Sequence, residues 1–460
     1  DTVLMGHEEL YRVYKERMDI YSKGDLSDAD GLRVGELEEK FAEMDGYKAE
    51  SDAATMLSEL GIEESQHQNQ MNTLDGSTKV RVLLAQVLFG EPDILLLDEP
   101  TNQLDYLTTC WLENFLLEFK NTVIVVSHDR HFLNKVCTHI ADVDFGTVKL
   151  FPGNYSFWKQ ATELATKQQQ DLHKKTDAKI KELQQFVQRF SANASKSKQA
   201  TSRKKLIDKM TLDELPVSQR RSPYINFKIK QPCGTNIVTL DNVSCTIDSE
   251  RVLHNVSLTI NKGNKVAIAG KHSQSKTALL EVLSGKRKPD TGDVIWGDSI
   301  QYSYFPKDNQ SYFEKEVSLI EWLGEYDDEN DLQRVRGYLG RMLFSGEDAE
   351  KIVTVLSGGE KARALFSKMM ILEDNALLFD EPTDHLDLEA ISALNTALEN
   401  YLGALVLSSH DFQLLNTVCN RVIEVSGHGT IDQNMTFDEY MKSERIQIER
   451  EKLYPITTTV

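Results

Sequence analysis

The 460-residue sequence predicts an α/β chain: two copies of one mostly parallel-sheet domain, the first incomplete, joined by a basic helical linker. Three observations predict this. First, ILLLDEPTNQLD at 94–105 returns as ALLFDEPTDHLD at 376–387, an offset of 282. The same offset carries Ser127-His128-Asp129 onto Ser409-His410-Asp411, and 73–133 aligns with 355–415 without a gap at 20 identities in 61. Second, short apolar runs alternate with helical patterns in each copy, as in a parallel sheet whose strands are buried on both faces. Third, residues 155–230 hold 17 Lys/Arg against 7 Asp/Glu, a local charge of +10 in a chain of net charge −20.

Composition narrows the class further. With 40% hydrophobic and 27% charged residues the chain is globular, and its acidic balance excludes a protein that coats nucleic acid along its whole surface. No apolar run approaches the roughly 18–20 residues of a membrane span. The five cysteines form no CxxC pair, which argues against disulfide frameworks, zinc ribbons and iron–sulfur sites and leaves a reducing, cytoplasmic setting as the expectation.

Taken in chain order, the first copy carries an insertion of roughly 38 residues before Leu74, charged and helical in pattern, with a break near 24–30. It reads as a protruding helical hairpin at about 5–60. A helix at 81–89, a strand at 94–97, a helix at 107–119 and a strand at 122–126 follow. Nothing before Leu74 matches 235–320, so we read the chain as a fragment opening inside its first domain. In the linker, Ile180, Leu183, Val187 and Phe190 recur at helical spacing before the basic, small-residue words SANASKSKQATSRKK. A helix, a basic turn and a returning helix are expected, and the contrast with the acidic body points to a polyanionic partner. The predicted boundaries are 1–154, 155–230, 231–445 and a tail at 446–460.

Gly270-Lys271-His272-Ser273-Gln274-Ser275-Lys276-Thr277 follows an apolar strand and opens a helix, the setting of a Walker A phosphate loop. Its backbone N–H groups and helix start suit phosphate oxygens, Lys276 the β- and γ-phosphates, and Thr277 a Mg²⁺ ion. Ser275 stands where the pattern has its second glycine. We expect crowding or left-handed strain there, at roughly 1–2 kcal/mol. The twin DEPT segments each end an apolar strand in two carboxylates. Asp98 and Asp380 suit metal binding; Glu99 and Glu381 suit the positioning of water. His128 and His410, at repeat spacing, are placed to reach a terminal phosphate. Ser357, Gly358, Gly359 and Glu360 begin a helix after Leu356, and such a start attracts anions.

Together these motifs resemble the ATP-binding-cassette superfamily, with LSGGE as its signature. Two cassettes in one chain, an arm inserted in the first and a basic linker resemble the ABC-F family of ribosome-binding translation ATPases. The words FVQRFSANASKSKQATSR and VSHDRHFLNKVCTHIAD are similar to its YbiT-type branch. The resemblance covers essentially the whole chain. It implies two P-loop ATP-binding-cassette domains, the first N-terminally truncated, joined by a helical-hairpin linker. It implies ATP and Mg²⁺ as cofactors, hydrolysis to ADP and phosphate, and a ribosome as partner. In that family the linker reaches P-site tRNA near the peptidyl-transferase region and the arm approaches the E site. Lys196, Lys198, Arg203, Lys204 and Lys205 become candidates for RNA phosphate contact. No membrane or DNA partner is implied, and the cassettes would pair within a monomer.

The resemblance also implies two composite sites, each closed by the signature of the opposite cassette. One joins Asp98, Glu99 and His128 to Ser357–Glu360. The other joins 270–277, Asp380, Glu381 and His410 to Leu74-Asp75-Gly76-Ser77-Thr78, an eroded signature that puts a carboxylate where repulsion of phosphate is expected. Ser273 and Ser275 replace glycines, Lys307 stands at the Q-loop glutamine position, and Ile247 at that of an adenine-stacking aromatic. Together they suggest a second site with weak or absent hydrolysis. Two alternatives remain at this stage: a non-hydrolysing ribosome- or RNA-binding module, and the ATPase subunit of a transporter.

Overall fold

The computed structural model describes residues 1–23, 27–101, 104, 106–144, 146–190, 202, 204–207 and 221–454. They form two compact units: Asp1–Asp129 with Ser222–Val460, and Arg130–Arg221.

In the first unit, β1 (Ile94–Asp98) and β2 (Thr122–Val126) pair in parallel, with Asp98 level with Val126. In the second unit, β3 (His139–Asp144) and β4 (Thr147–Pro152) form an antiparallel hairpin. One helix of 36 residues, Tyr155–Phe190, follows it, and Trp158 near its start donates to Asp142 Oδ2 at 3.1 Å. Ile180, Leu183 and Val187 on this helix are half-buried, as their spacing predicts. Lys204 and Lys205 are exposed on a short helical stretch, whereas Lys196, Lys198 and Arg203 lie outside the described residues.

The second copy is layered. β5 (Asn236–Ile247), β6 (Glu250–Asn261) and β8 (Thr291–Trp296) make a three-stranded antiparallel sheet. β7 (Lys265–Ala269), β9 (Tyr302–Phe305), β10 (Ala376–Asp380), β11 (Ala404–Ser408), β12 (Arg421–Ser426) and β13 (Gly429–Gln433) make a six-stranded sheet in the order β13-β12-β7-β11-β10-β9. Only β13 runs antiparallel to its neighbour. Side chains alternate between the faces of a strand. Leu378 and Val406 therefore join the layer of the three-stranded sheet and the helix Ser273–Leu283, while Leu377, Phe379, Leu405 and Leu407 join the helices Gly358–Leu372 and Leu388–Asn400. All five positions of β10 and of β11 are buried. The last helix, Glu444–Leu453, sets Ile446 and Leu453 into the same core, so part of the expected tail is cassette.

Two expectations are corrected. The strands of the first copy are not buried on both faces: Ile94, Leu96, Ile124 and Val126 are 55–68% exposed. The face they line corresponds to the one covered in the second copy by β5, β6, β8 and Ser273–Leu283. The arm is three helices, Glu8–Tyr21, Asp28–Glu43 and Gly46–Glu59, not a hairpin of two. The sharp turn before the third is possible because Asp45 takes a left-handed conformation (φ 53°) and a Cβ on Gly46 would fall within 2.7 Å of the Phe41 ring. The arm is anchored at its far end, where Trp111 donates to Glu59 Oε2 at 3.0 Å and Arg81 donates to the carbonyls of Leu60 and Gly61 at 3.2 Å.

Phe379 is fully buried and its ring lies 5.9 Å from those of Phe227 and Phe305. Phe379→Ala is expected to lower unfolding free energy by about 3–5 kcal/mol. Leu402→Ala, at an 83% exposed position, should change it by less than about 0.5 kcal/mol. Chemical denaturation of both variants checks the pair.

Candidate functional site

β7 lies between β11 and β12, so the loop that leaves it opens at the middle of the sheet's carboxyl edge. Ligands of open α/β sheets bind there. Gly270 turns the chain where a Cβ would stand 2.8 Å from the Val425 carbonyl oxygen. The helix Ser273–Leu283 then starts without a side-chain cap, its Ser275 N–H donating to the His272 carbonyl at 3.1 Å, and such a helix start attracts anions. Ser275 is the third residue of this helix, buried, and absent from the positive-φ residues, so the expected left-handed strain does not occur. Lys271, His272 and Gln274 are exposed at the mouth of the loop. The Lys271 N–H donates to Tyr454 Oη at 2.9 Å, and the Tyr454 hydroxyl donates to the buried Glu424 at 3.0 Å.

Lys276 and Glu381 meet inside this edge, Nζ to Oε1 at 3.0 Å, with side chains 7% and 0% exposed. Glu381 is aimed by its backbone. It takes φ 48°, and its N–H donates to the Ser408 carbonyl at 2.9 Å. Its carboxylate accepts the His410 N–H at 2.8 Å and the Ser408 hydroxyl at 3.3 Å, and His410 Nε2 stands 3.2 Å from Oε1. Burial alone would raise its pKa. The charges of His410 and Lys276 outweigh burial and hold it below the usual carboxylate range.

Asp380 has the opposite balance. Burial, and then the charge of Glu381, push it up to about 6, while the Thr277 hydroxyl and the Lys307 and Lys276 ammoniums pull the other way. Both its oxygens are enclosed, with the Thr277 hydroxyl beside them but outside good hydrogen-bond geometry. An orphaned carboxylate beside a hydroxyl at the foot of a phosphate loop suits a small hard cation that keeps water and phosphate as its other ligands. Asp380 and Thr277 therefore fit Mg²⁺.

The first copy repeats the cage. Glu99 takes φ 46°, and its N–H donates to the Val126 carbonyl at 2.8 Å. Its Oε2 accepts the His128 N–H at 3.2 Å, with His128 Nε2 3.4 Å from Oε1. Asp98 ends β1 in an exposed position. Glu99 and His128 line a cleft of about 410 Å³ whose other wall is Ser357, Gly359, Glu360 and Arg363 with the turn Thr383–Asp387. Residues of both copies thus line one cleft. Ser357 caps its helix reciprocally with Glu360, and Lys351 holds Glu360 at 3.0 Å. A Cβ on Gly359 would come within 2.9 Å of the His385 carbonyl oxygen, so the second glycine is required by packing.

Around the other site, Asp75 spends its carboxylate on its own helix, accepting the Thr78 N–H at 3.0 Å and the Thr78 hydroxyl at 2.6 Å. Glu63 and Arg81 of the first copy lie close enough to act on His272, whose pKa burial and then Lys271 depress. Sequence reasoning missed Asp384, His385 and Arg363. The first two fall within the DEPTDHLD word, and their repeat spacing was the available signal.

A phosphate loop at the centre of a parallel sheet, paired carboxylates on the next strand end, and a capped helix start facing the other copy define a tandem nucleotide-binding cassette protein. The ABC transporter family profile matches residues 8–102 and 253–384, and a second profile described as ABC transporter matches 141–227. The chain is 50% identical over 454 residues to the ABC transporter ATP-binding protein YkpA of Bacillus subtilis, covering 98% of this chain and 84% of that one. It is 44% identical to the ATP-binding protein YbiT of Escherichia coli O157:H7 (97% and 84% covered) and 30% identical to ABC transporter F family member 2 of Arabidopsis thaliana (96% and 66%). In fold it is similar to the structure titled RNase-L Inhibitor, with a TM-score of 0.57 at 18% identity over 88% of this chain and 76% of that one. The chain belongs to the ABC-F family of tandem ATP-binding-cassette proteins, in its YbiT-type branch. Among the described residues no helix is long and apolar enough to cross a membrane.

The raised Asp380 value carries a sign. Its folded pKa of about 6 exceeds the ordinary 3.8, so ionisation opposes folding: the penalty is absent below about pH 4 and complete above about pH 6. Asp380→Asn is expected to raise the stability of the nucleotide-free chain at pH 7 by about 1–2 kcal/mol. The gap to the parent closes as pH falls to 4, which thermal melts across that range will show.

Proposed function

We propose that this chain is a cytoplasmic ATPase that couples ATP-dependent closure of its two cassettes to ribosome binding and the regulation of translation. The observation that carries it is the cleft in which Glu99 and His128 of one copy face Ser357–Glu360 of the other. A nucleotide held there would be gripped from both sides, and ATP would favour the closed pair by its better fit to that state. The +10 segment at 155–230, in an otherwise acidic chain, supports a polyanionic partner, which this reading takes to be rRNA and tRNA. Lys196, Lys198, Arg203, Lys204 and Lys205 are the proposed phosphate contacts.

In the proposed mechanism, the 270–277 loop cradles phosphates through its backbone N–H groups. Lys276 exchanges its Glu381 partner for phosphate oxygens. Glu381, released from the lysine yet still fixed by Ser408 and His410, orients the attacking water; Glu99 with His128 does the same in the other site. Asp380 and Thr277 would hold a Mg²⁺ ion, which would supply charge neutralisation to the phosphates. One observation favours a weaker second site: Glu381 is already engaged by a buried lysine, so water activation there must first break that pair.

Two measurements test this. Mg-ATP should bind the chain saturably in calorimetry, and Lys276→Ala should weaken binding at least about tenfold. No binding by the parent would leave the second cassette without a nucleotide. In the full-length protein, Glu99→Gln combined with Glu381→Gln should slow ribosome dissociation by an order of magnitude or more. Unchanged dissociation in sedimentation would sink the coupling scheme.

A further inference from the structure

Lys307 plays no part in the mechanism above, yet it stands at the same edge. β9 pairs with β10 up to Phe305 opposite Phe379, and Lys307 follows two residues after that strand end, as Glu381 follows two residues after Phe379. Its ammonium donates to Ser273 Oγ at 3.0 Å. Ser273 is the first residue of the phosphate-loop helix. Two positions unusual for a phosphate loop and its neighbouring strand end, one serine and one lysine, are therefore a single hydrogen-bonded unit. The lysine's charge also acts on Asp380, Glu381 and Asp384, drawing all three carboxyls down.

The charge arrangement around this loop is uneven. Asp380, Glu381 and Asp384 bring three carboxyls to it, and Lys276 is already paired with Glu381. A triphosphate adds several more negative charges, which a bound divalent ion ordinarily offsets. Lys307 is exposed and reaches the loop at Ser273, whereas Tyr454 reaches it at Lys271. Among the described residues the Lys307 ammonium meets the neutral Ser273 hydroxyl and no carboxylate within ion-pair distance, so its charge is not consumed by a salt bridge there. A lysine cannot serve as a metal ligand while protonated. It can serve as a compact cation beside phosphate oxygens.

We propose that Lys307 is a phosphate-binding cation of the second site, held to the loop by Ser273, which lets this site hold a nucleoside triphosphate with reduced dependence on a divalent ion. This rests on the reading of 270–277 as a nucleotide site.

The test is calorimetry of ATP binding to the 460-residue chain, once with Mg²⁺ and once in EDTA. The quantity read is the ratio of the two dissociation constants. Lys307→Gln is expected to raise that ratio about tenfold, the worth of one charge-assisted contact. Ser273→Gly should raise it less, and the double variant no more than Lys307→Gln alone, because the serine acts through the lysine. A ratio unchanged by Lys307→Gln, or binding weakened equally with and without Mg²⁺, overturns the proposal and makes Lys307 a structural tether. A parent that binds Mg-ATP while showing either result fails only this inference. A parent that binds ATP under neither condition fails the nucleotide-site reading as well.

Discussion

The buried carboxylates at the end of β10 are the constraint on which the second cassette is built. Two adjacent acids, each 1% exposed, cannot be accommodated without a specific answer for each. Glu381 is answered by protein: a lysine, a serine hydroxyl, a histidine N–H and a left-handed backbone that turns it toward them. Asp380 is left without a hydrogen bond of good geometry. That asymmetry between neighbours separates one acid that the fold satisfies from one whose charge the fold leaves largely unanswered. Gly270, the register of β10 with β11 and the position of the Ser273–Leu283 helix all follow from bringing the loop to these two groups.

The internal repeat goes deeper than its motif words. Glu91 and Glu373 both take positive φ, as do Glu99 and Glu381. Asp75 and Ser357 both cap the helix that follows them. What differs is what each cap leaves available. Ser357 uses a hydroxyl and hands the charge to Glu360, which Lys351 neutralises; Asp75 keeps a full carboxylate at its helix start. The two signatures are thus alike as helix starts and unlike as anion sites.

Much of this was legible in the residues. The DEPT words, the Ser-His-Asp triplets and their shared offset located the carboxylates and the histidines, while the pairing of Glu99 with Ser357 came from the family resemblance. The phosphate loop was legible because an apolar strand and a helix flank it. Strain at Ser275 was wrongly expected, because a pattern position does not reveal whether its φ is positive, and here the helix has already begun. The exposed faces of β1 and β2 were missed because an apolar strand reads the same whether one or both of its faces are covered. Asp384 and His385 were passed over because their chemistry depends on a neighbour that only the fold supplies. The arm's third helix was hidden by a turn made with Asp45 and Gly46, where the pattern showed only a charged continuation.

The hydrogen bond between the Lys271 N–H and Tyr454 spans 183 positions of sequence. A loop near the middle of the chain is therefore finished by a side chain near its far end. The strand, the glycine and the lysine of the phosphate loop are all present in a polypeptide that stops after β13, but its entrance would lack this closing contact. For a chain emerging residue by residue, the entrance of this loop is completed only once Tyr454 has been made, well after the sheet that carries it can pair.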